Sequence, residues 1–271
     1  MTPSHPAPDE DKRRQRVQSA QTGMVILKAL ARLGGSASLT AIAQAAGENA
    51  AKVHRYLASL AAEGLVAQHP ATQHYYLGPE AMHIGLAALR QCDPVRLGEP
   101  VLLALRENLQ VTCFIAVLGN LGPTVMRIEE PPVPVTVNIR LGSVLPLLWS
   151  ASGQAFLAFS DDARLQQRAR DEYAVAGEAQ RALLGNEGDA VEALCRRVRA
   201  QGCATVRDVL LVGVSAIAAP IRDAHGAVAA VLTALGATNG FDVHPDGEVG
   251  RAVTQAARQI SAAMGHADAR G

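Results

Sequence analysis

Apolar positions in the first third of the chain recur at helical spacing between glycine breaks. Ile26, Leu30 and Leu33 stand at i, i+4 and i+7, one face of a helix over 17–33, and Gly34-Gly35 stops it. Ser38 offers an N-cap to a short helix over 39–46, with Leu39, Ile42 and Ala46 on its buried side. Gly47 suits the left-handed closure of that helix. A second helix over 49–62 turns Val53, Leu57 and Leu60 to a core and ends at Gly64. Strand-like runs at 65–68 and 75–77 follow, joined through His69-Pro70-Ala71-Thr72-Gln73. Two short helices, a glycine turn and a hairpin, in that order, predict a winged helix-turn-helix, whose second helix is shaped to enter a DNA groove.

Beyond this unit the pattern changes. Pro79 opens a connector helix over 79–91, whose exposed apolar stripe is natural at a dimer seam. A helix near 94–109 precedes strand-like runs at 111–118, 124–130 and 135–140, the last two separated by Pro131, Pro132 and Pro134. Residues 141–159 read as a loop running into a helix. Helices near 161–173 and 187–201 come next. The latter sets Val191, Leu194 and Val198 inward and leaves Arg196, Arg197 and Arg199 as a solvated face. Strands at 214–221 and 227–235 flank the turn Arg222-Asp223-Ala224-His225-Gly226, and a helix over 245–264 closes the chain. The fold class is α+β, with helices around a mostly antiparallel sheet. The divisions expected are a basic tail over 1–16, the DNA-binding unit over 17–78, a linker over 79–93 and a second domain over 94–271.

Charge narrows the picture. The formal net charge is zero, and residues 1–80 carry eight Lys/Arg (Lys12, Arg13, Arg14, Arg16, Lys28, Arg32, Lys52, Arg55) against six Asp/Glu. DNA affinity then rests on a few placed cations and on dimerisation. On the helical wheel Arg55 and Ala51 lie opposite the core face of the second helix, with Lys52 and His54 on its flanks. Lys52, Arg55 and His54 are candidate base readers. Arg13, Arg14 and Arg16 either touch phosphates or the minor groove or form a solvated tail. Asn49 either caps the helix or touches a base.

The four cysteines show no C-x-x-C spacing, which argues against zinc and disulfides. No apolar run reaches about 18 residues and no signal peptide is visible, so a soluble, cytoplasmic protein without a membrane partner is expected. There is no G-x-S-x-G, Walker loop, dinucleotide fingerprint or H-E-x-x-H, and His83, His225 and His244 each stand alone in sequence. Neither catalysis nor a cofactor is expected. The competing readings are an enzyme, or a protein-interaction module that uses the second domain without specific DNA binding.

Four stretches in order resemble the IclR family of bacterial transcriptional regulators: VQSAQTGMVILKAL, SLTAIAQAAG with KVHRYLASLAAEGLV, LGSVLPLLWSASGQAFLAF, and GVSAIAAPIRDAHGAVAAVLTALG. The resemblance covers 17 to about 265. It implies a winged helix, a linker helix and a GAF-like α/β effector-binding domain, assembled as a homodimer or dimer of dimers on double-stranded operator DNA. Such regulators respond to small organic molecules and usually control a catabolic operon. The family often opens its recognition helix with Leu-Pro-[KR]-[ST]-[TS]. Here Glu48-Asn49-Ala50-Ala51-Lys52 stands instead, so operator preference does not carry over.

The resemblance also implies an effector pocket lined by Val137, Leu145, Trp149, Ala151, Ser152, Val206, Ala216, Thr233 and Leu235. A helix start near Ser150 would favour a carboxylate there. Relatives that bind very small acids tend to place Asp, Cys and Ser along this wall. Val206, Ala216, Thr233 and Leu235 make it mostly apolar and point to a larger, aromatic acid. Trp149 is either a ring to stack on that ligand or a filler of the core or dimer interface.

Overall fold

A computed structural model of the chain describes residues 17–89, 92–132, 139–185 and 189–267. They form two compact units, one before residue 92 and one from it.

The first unit begins with α1 (Gln18–Arg32), which buries Ile26 and Leu30. Leu33, expected on the same face, is exposed: it is the C-cap, where the helical repeat has already ended. β1 (Ser36–Ala37) leads into α2 (Leu39–Ala46), where Ser38 Oγ accepts from Ala41 N at 3.3 Å. Gly47 holds φ at +67°, a conformation a Cβ would strain, and so turns the chain into α3 (Ala50–Ala62). Val53, Leu57 and Leu60 of α3 close one core with Ile26, Leu30 and Ile42. β2 (Val66–Gln68) and β3 (Tyr75–Leu77) form the wing. β1 adds to it as a third strand, giving the order β1-β3-β2. α4 (Pro79–Leu89) leaves Met82, Ile84 and Leu86 exposed.

The second unit is a five-stranded, wholly antiparallel sheet covered on both faces. Its strands are β4 (Thr112–Gly119), β5 (Gly122–Glu129), β6 (Ala204–Arg207), β7 (Val214–Arg222) and β8 (Val228–Ala237), in the order β5-β4-β8-β7-β6. Alternate residues feed two cores. Phe114, Ala116, Ala216, Val231 and Leu235 face α6 (Ala151–Phe159), α7 (Ala163–Val175) and α9 (Ala190–Gln201). Cys113, Ile115, Ile217 and Leu232 face α5 (Pro94–Leu109) and α10 (Glu248–Ala263). Two covered faces explain why these strands read as unbroken apolar runs. Burial pushes the Cys113 thiol up to about 12, against a smaller lowering by Arg106, so it stays protonated and packs as a hydrophobe.

The short α8 (Glu178–Ala182) and β6 were not anticipated. Of the strand expected at 135–140, residues 135–138 lie outside the described ones, and Ile139 and Arg140 are not strand. The outer edge of β5 is met instead by 142–145: Val125 N donates to Ser143 O at 2.9 Å and Leu145 N to Pro123 O at 2.8 Å.

Candidate functional site

The surface of α3 is set by its first turn. Asn49 Oδ1 accepts from Lys52 N at 2.8 Å, so Asn49 is the N-cap. With Val53, Leu57 and Leu60 inward, Ala51, His54, Arg55, Ala58 and Ser59 are exposed. The side chains of Arg55 and His54 make no hydrogen bond or ion pair among the described residues; the Arg55 carbonyl accepts from Ser59 Oγ at 3.2 Å. Lys52 does: its Nζ lies 2.7 Å from Glu48 Oε1, with both side chains about two-thirds covered. Its charge is largely cancelled locally. Glu48 precedes the N-cap Asn49, so helical spacing alone does not announce this pair. Arg55 is therefore the cation on this helix face without an anionic partner among the described residues. Arg13, Arg14 and Arg16 lie outside the described residues.

The wing presents no Lys or Arg. His69 Nδ1 accepts from Ala71 N and Thr72 N, each at 3.3 Å, which puts the ring proton of the neutral form on Nε2. Gln73, at φ +57°, donates from Nε2 to Pro70 O at 2.7 Å. The turn is held by its own amide and imidazole groups. Among the described residues the exposed cations of this unit are therefore on α1 (Lys28, Arg32) and α3.

In the second unit a cavity opens between the start of α6 and the sheet. Leu145, Ala151, Ser152, Val206, Ala216, Thr233 and Leu235 all line it, together with Phe114, Ile139, Ser150, Leu210, Leu211 and Val214. Val137 lies outside the described residues. Trp149 is not among the lining residues: it is 6% exposed and packs in the core cluster that also contains Phe114, Leu145 and Ala151. A residue number one step before the helix does not say which way the side chain turns.

The cavity's polar groups are few. Ser152 Oγ and Thr233 Oγ1 are 2.9 Å apart, both fully buried. One of the two hydroxyl protons lies between them, which leaves the other free for a guest. Ser150 Oγ is already satisfied, donating to Pro146 O and accepting from Gly153 N. The N–H groups of Ala151 and Ser152 find no partner among the described residues. They form the open N-terminus of a nine-residue helix.

The loop before α6 is braced from afar. Leu147 N and Leu148 N donate to Glu172 Oε2 at 3.0 and 3.3 Å, and Gln154 Nε2 to Leu148 O at 2.8 Å. A Cβ at Gly153 would collide with the Pro146 and Leu147 carbonyls, which is why this helix start needs glycine. Burial raises the Glu172 carboxyl above its ordinary value against those two donors and Arg168, and Oε1 is buried without a partner. The space is small, about 30 Å³, and only partly enclosed by the described residues. Leu210 and Leu211, at its rim, are 39% and 43% exposed, and Val212 beside them 94%.

Among the described residues no group of His, Cys, Asp and Glu could hold a metal ion, and no helix is long and apolar enough to cross a membrane. Two of the histidines seen as solitary in sequence have ring partners: His83 Nδ1 lies 3.3 Å from Glu80 Oε1, and His244 Nδ1 accepts from Asp246 N; His225 is tied through its backbone N–H, which donates to Asp223 Oδ1.

Comparison with known proteins follows the same division. Residues 19–70 match the IclR helix-turn-helix domain and residues 86–262 the bacterial transcriptional regulator IclR C-terminal domain. The transcriptional repressor IclR of Escherichia coli K12 is 30% identical over 144 residues, 52% of this chain and 53% of that protein. The chain thus spans about half the length of the first curated relatives it matches. The regulator BhcR of Paracoccus denitrificans is 29% identical over 84% of this chain and 80% of its own. The crystal structure of Pseudomonas aeruginosa HmgR is 40% identical, covers 92% of this chain and 99% of its own, and superposes with a TM-score of 0.82.

Proposed function

The chain belongs to the IclR family of bacterial transcriptional regulators, and from that premise we propose that it is a DNA-binding regulator controlled by a small organic acid. The family is one of regulators and not of enzymes. The observation that carries the reading is Arg55: exposed, without an anionic partner among the described residues, and central on a capped helix that a wing follows. In this reading Arg55 forks onto a base edge, His54 and Ala51 flank it, and Lys52 supplies a weaker contact. Arg13, Arg14 and Arg16 add phosphate contacts. Two copies joined through α4, with Met82, Ile84 and Leu86 in the seam, present two recognition helices to two half-sites.

The second unit, a GAF-like domain in this proposal, takes an aromatic carboxylic acid. Its carboxylate rests on the Ala151 and Ser152 N–H groups and the Ser152–Thr233 hydroxyl pair. Its ring lies against Phe114, Leu145, Val206 and Leu235. About 30 Å³ does not admit a ring, so binding requires Leu210 and Leu211 to swing outward. Their half-exposed state supports them as the moving part. Ligand binding then couples to a change of shape, which is what a regulator needs.

The test is fluorescence anisotropy on duplex from the region upstream of the chain's own gene and on a shuffled duplex. Arg55→Ala should cost about 1–3 kcal/mol on the specific site and much less on the shuffled one. Equal losses on both would make Arg55 a phosphate contact. A folded wild type with no preference between the duplexes would overturn the regulator reading. Benzoate-class acids should release the specific duplex and perturb Trp149 emission, since Trp149 adjoins the lining residue Ser150. Tight binding of glyoxylate or pyruvate without any aromatic response would overturn the ligand class.

A further inference from the structure

A second cavity, of about 190 Å³, lies at the far end of β7 against α10 and shares no lining residue with the one beside α6. Arg222, Arg258 and His266 line it together with Thr254, Phe159 and Pro220, and among the described residues no carboxylate does. Arg222 is held in place before any ligand arrives: its Nη1 donates to Gly226 O at 2.8 Å and its guanidinium lies 5.3 Å from the centre of the Phe159 ring. The rest of its fork stays free to donate. The His266 ring closes the same corner, with Cε1 3.8 Å from where a Cβ on Gly226 would stand. Arg258 is exposed on α10 and makes no hydrogen bond or ion pair among the described residues. Asp223, next to Arg222 in sequence, turns Oδ1 to the His225 and Ala227 N–H groups and does not line the cavity.

We propose that this cavity binds the phosphate group of a small phosphorylated metabolite. Two permanent cations sharing one cavity with no counter-charge among its described lining residues repel each other, and a bound anion turns that repulsion into attraction. A dianion balances two guanidinium groups, whereas a single carboxylate leaves one positive charge over. The apolar wall of Phe159, Pro220, Ala219 and Ala257 suits a short carbon body beyond the phosphate. No residue assigned to DNA or to the aromatic acid takes part.

The experiment uses the full chain without DNA and inorganic phosphate as the probe. Binding is followed by calorimetry and by the thermal midpoint, at constant ionic strength set with chloride. Saturable binding with a rising midpoint is expected up to about 20 mM phosphate, with sulfate competing and acetate not. Arg258→Ala touches no internal partner and should keep the fold while weakening phosphate at least about fivefold. Arg222→Gln should weaken it further, and Arg196→Ala, which removes an exposed cation of α9 outside the cavity, should leave it unchanged. No saturable binding, equal competition by acetate, or full affinity in a folded Arg258→Ala variant would each overturn the proposal.

Discussion

Glu48→Gln is expected to tighten DNA binding, because Glu48 cancels a cation on the helix proposed to face the duplex. The Lys52 Nζ to Glu48 Oε1 distance is 2.7 Å, an (i, i+4) pair with 33% and 28% of the two side chains exposed. Such a pair contributes only about 0.3–0.5 kcal/mol to stability. Glutamine keeps an acceptor for the ammonium, so the fold should lose no more than a degree or two in Tm. The electrostatic gain is larger. Each phosphate neutralised releases about 0.9 counterion, which at 0.15 M salt is worth roughly 0.7 log unit, or about fivefold in affinity per protomer. The assay is anisotropy on one duplex from about 0.05 to 0.3 M salt. The slope of log K against log salt should steepen by about one for each protomer in contact, with tighter binding at every concentration. An unchanged slope would mean that Lys52 never reaches a phosphate. Weaker binding would mean that Glu48 itself accepts a hydrogen bond from a base, as carboxylates do from cytosine N4.

Other residues make separate tests. Asn49→Ala should lower stability by about 1 kcal/mol in thermal melts, and Asn49→Asp should restore the cap while weakening DNA binding through its charge; full DNA affinity in the Asp variant would place the start of α3 away from phosphate. Thr233→Val strands the buried Ser152 hydroxyl and should cost about 1–3 kcal/mol in urea titrations, most of it recovered when Ser152→Ala is added; simple additivity would rule out the pairing. Glu172 links stability to pH. Burial raises its folded pKa, so between the ordinary carboxylate value and the raised one the folded chain holds a proton the unfolded chain has released. Its contribution is whole below that window and is lost as pH rises through it. Relative to Glu172→Gln, wild-type stability should therefore fall as pH climbs above the ordinary carboxylate range and then level off, whereas a difference that rises or stays flat would refute the burial argument.

The helix-turn-helix was legible because its determinants act within a few residues. Ser38 and Asn49 cap helices that start one position later, Gly47 supplies the one positive φ the turn needs, and Val53, Leu57 and Leu60 share a face by periodicity alone. The two strands β7 and β8 were equally plain, since a strand buried on both sides is a continuous apolar run with turn residues at its ends. Where pairing comes from a distance, sequence is silent. β1 is two residues long and exists because Tyr75 and Tyr76 lie beside it, and β6 is a four-residue edge strand on β7.

The same division runs through the candidate sites. Chain order alone settles that a basic helix follows Gly47 and that apolar residues with a Ser and a Thr recur around a helix start near Ser150. Only the folded chain decides that Lys52 spends its charge on Glu48 while Arg55 keeps its own. It also decides that Trp149 turns into the core and that Glu172, 25 residues away, holds the loop before α6. Local backbone preferences are written in short stretches of sequence, but the direction of a side chain and the neutralisation of a charge depend on what the rest of the chain brings beside them.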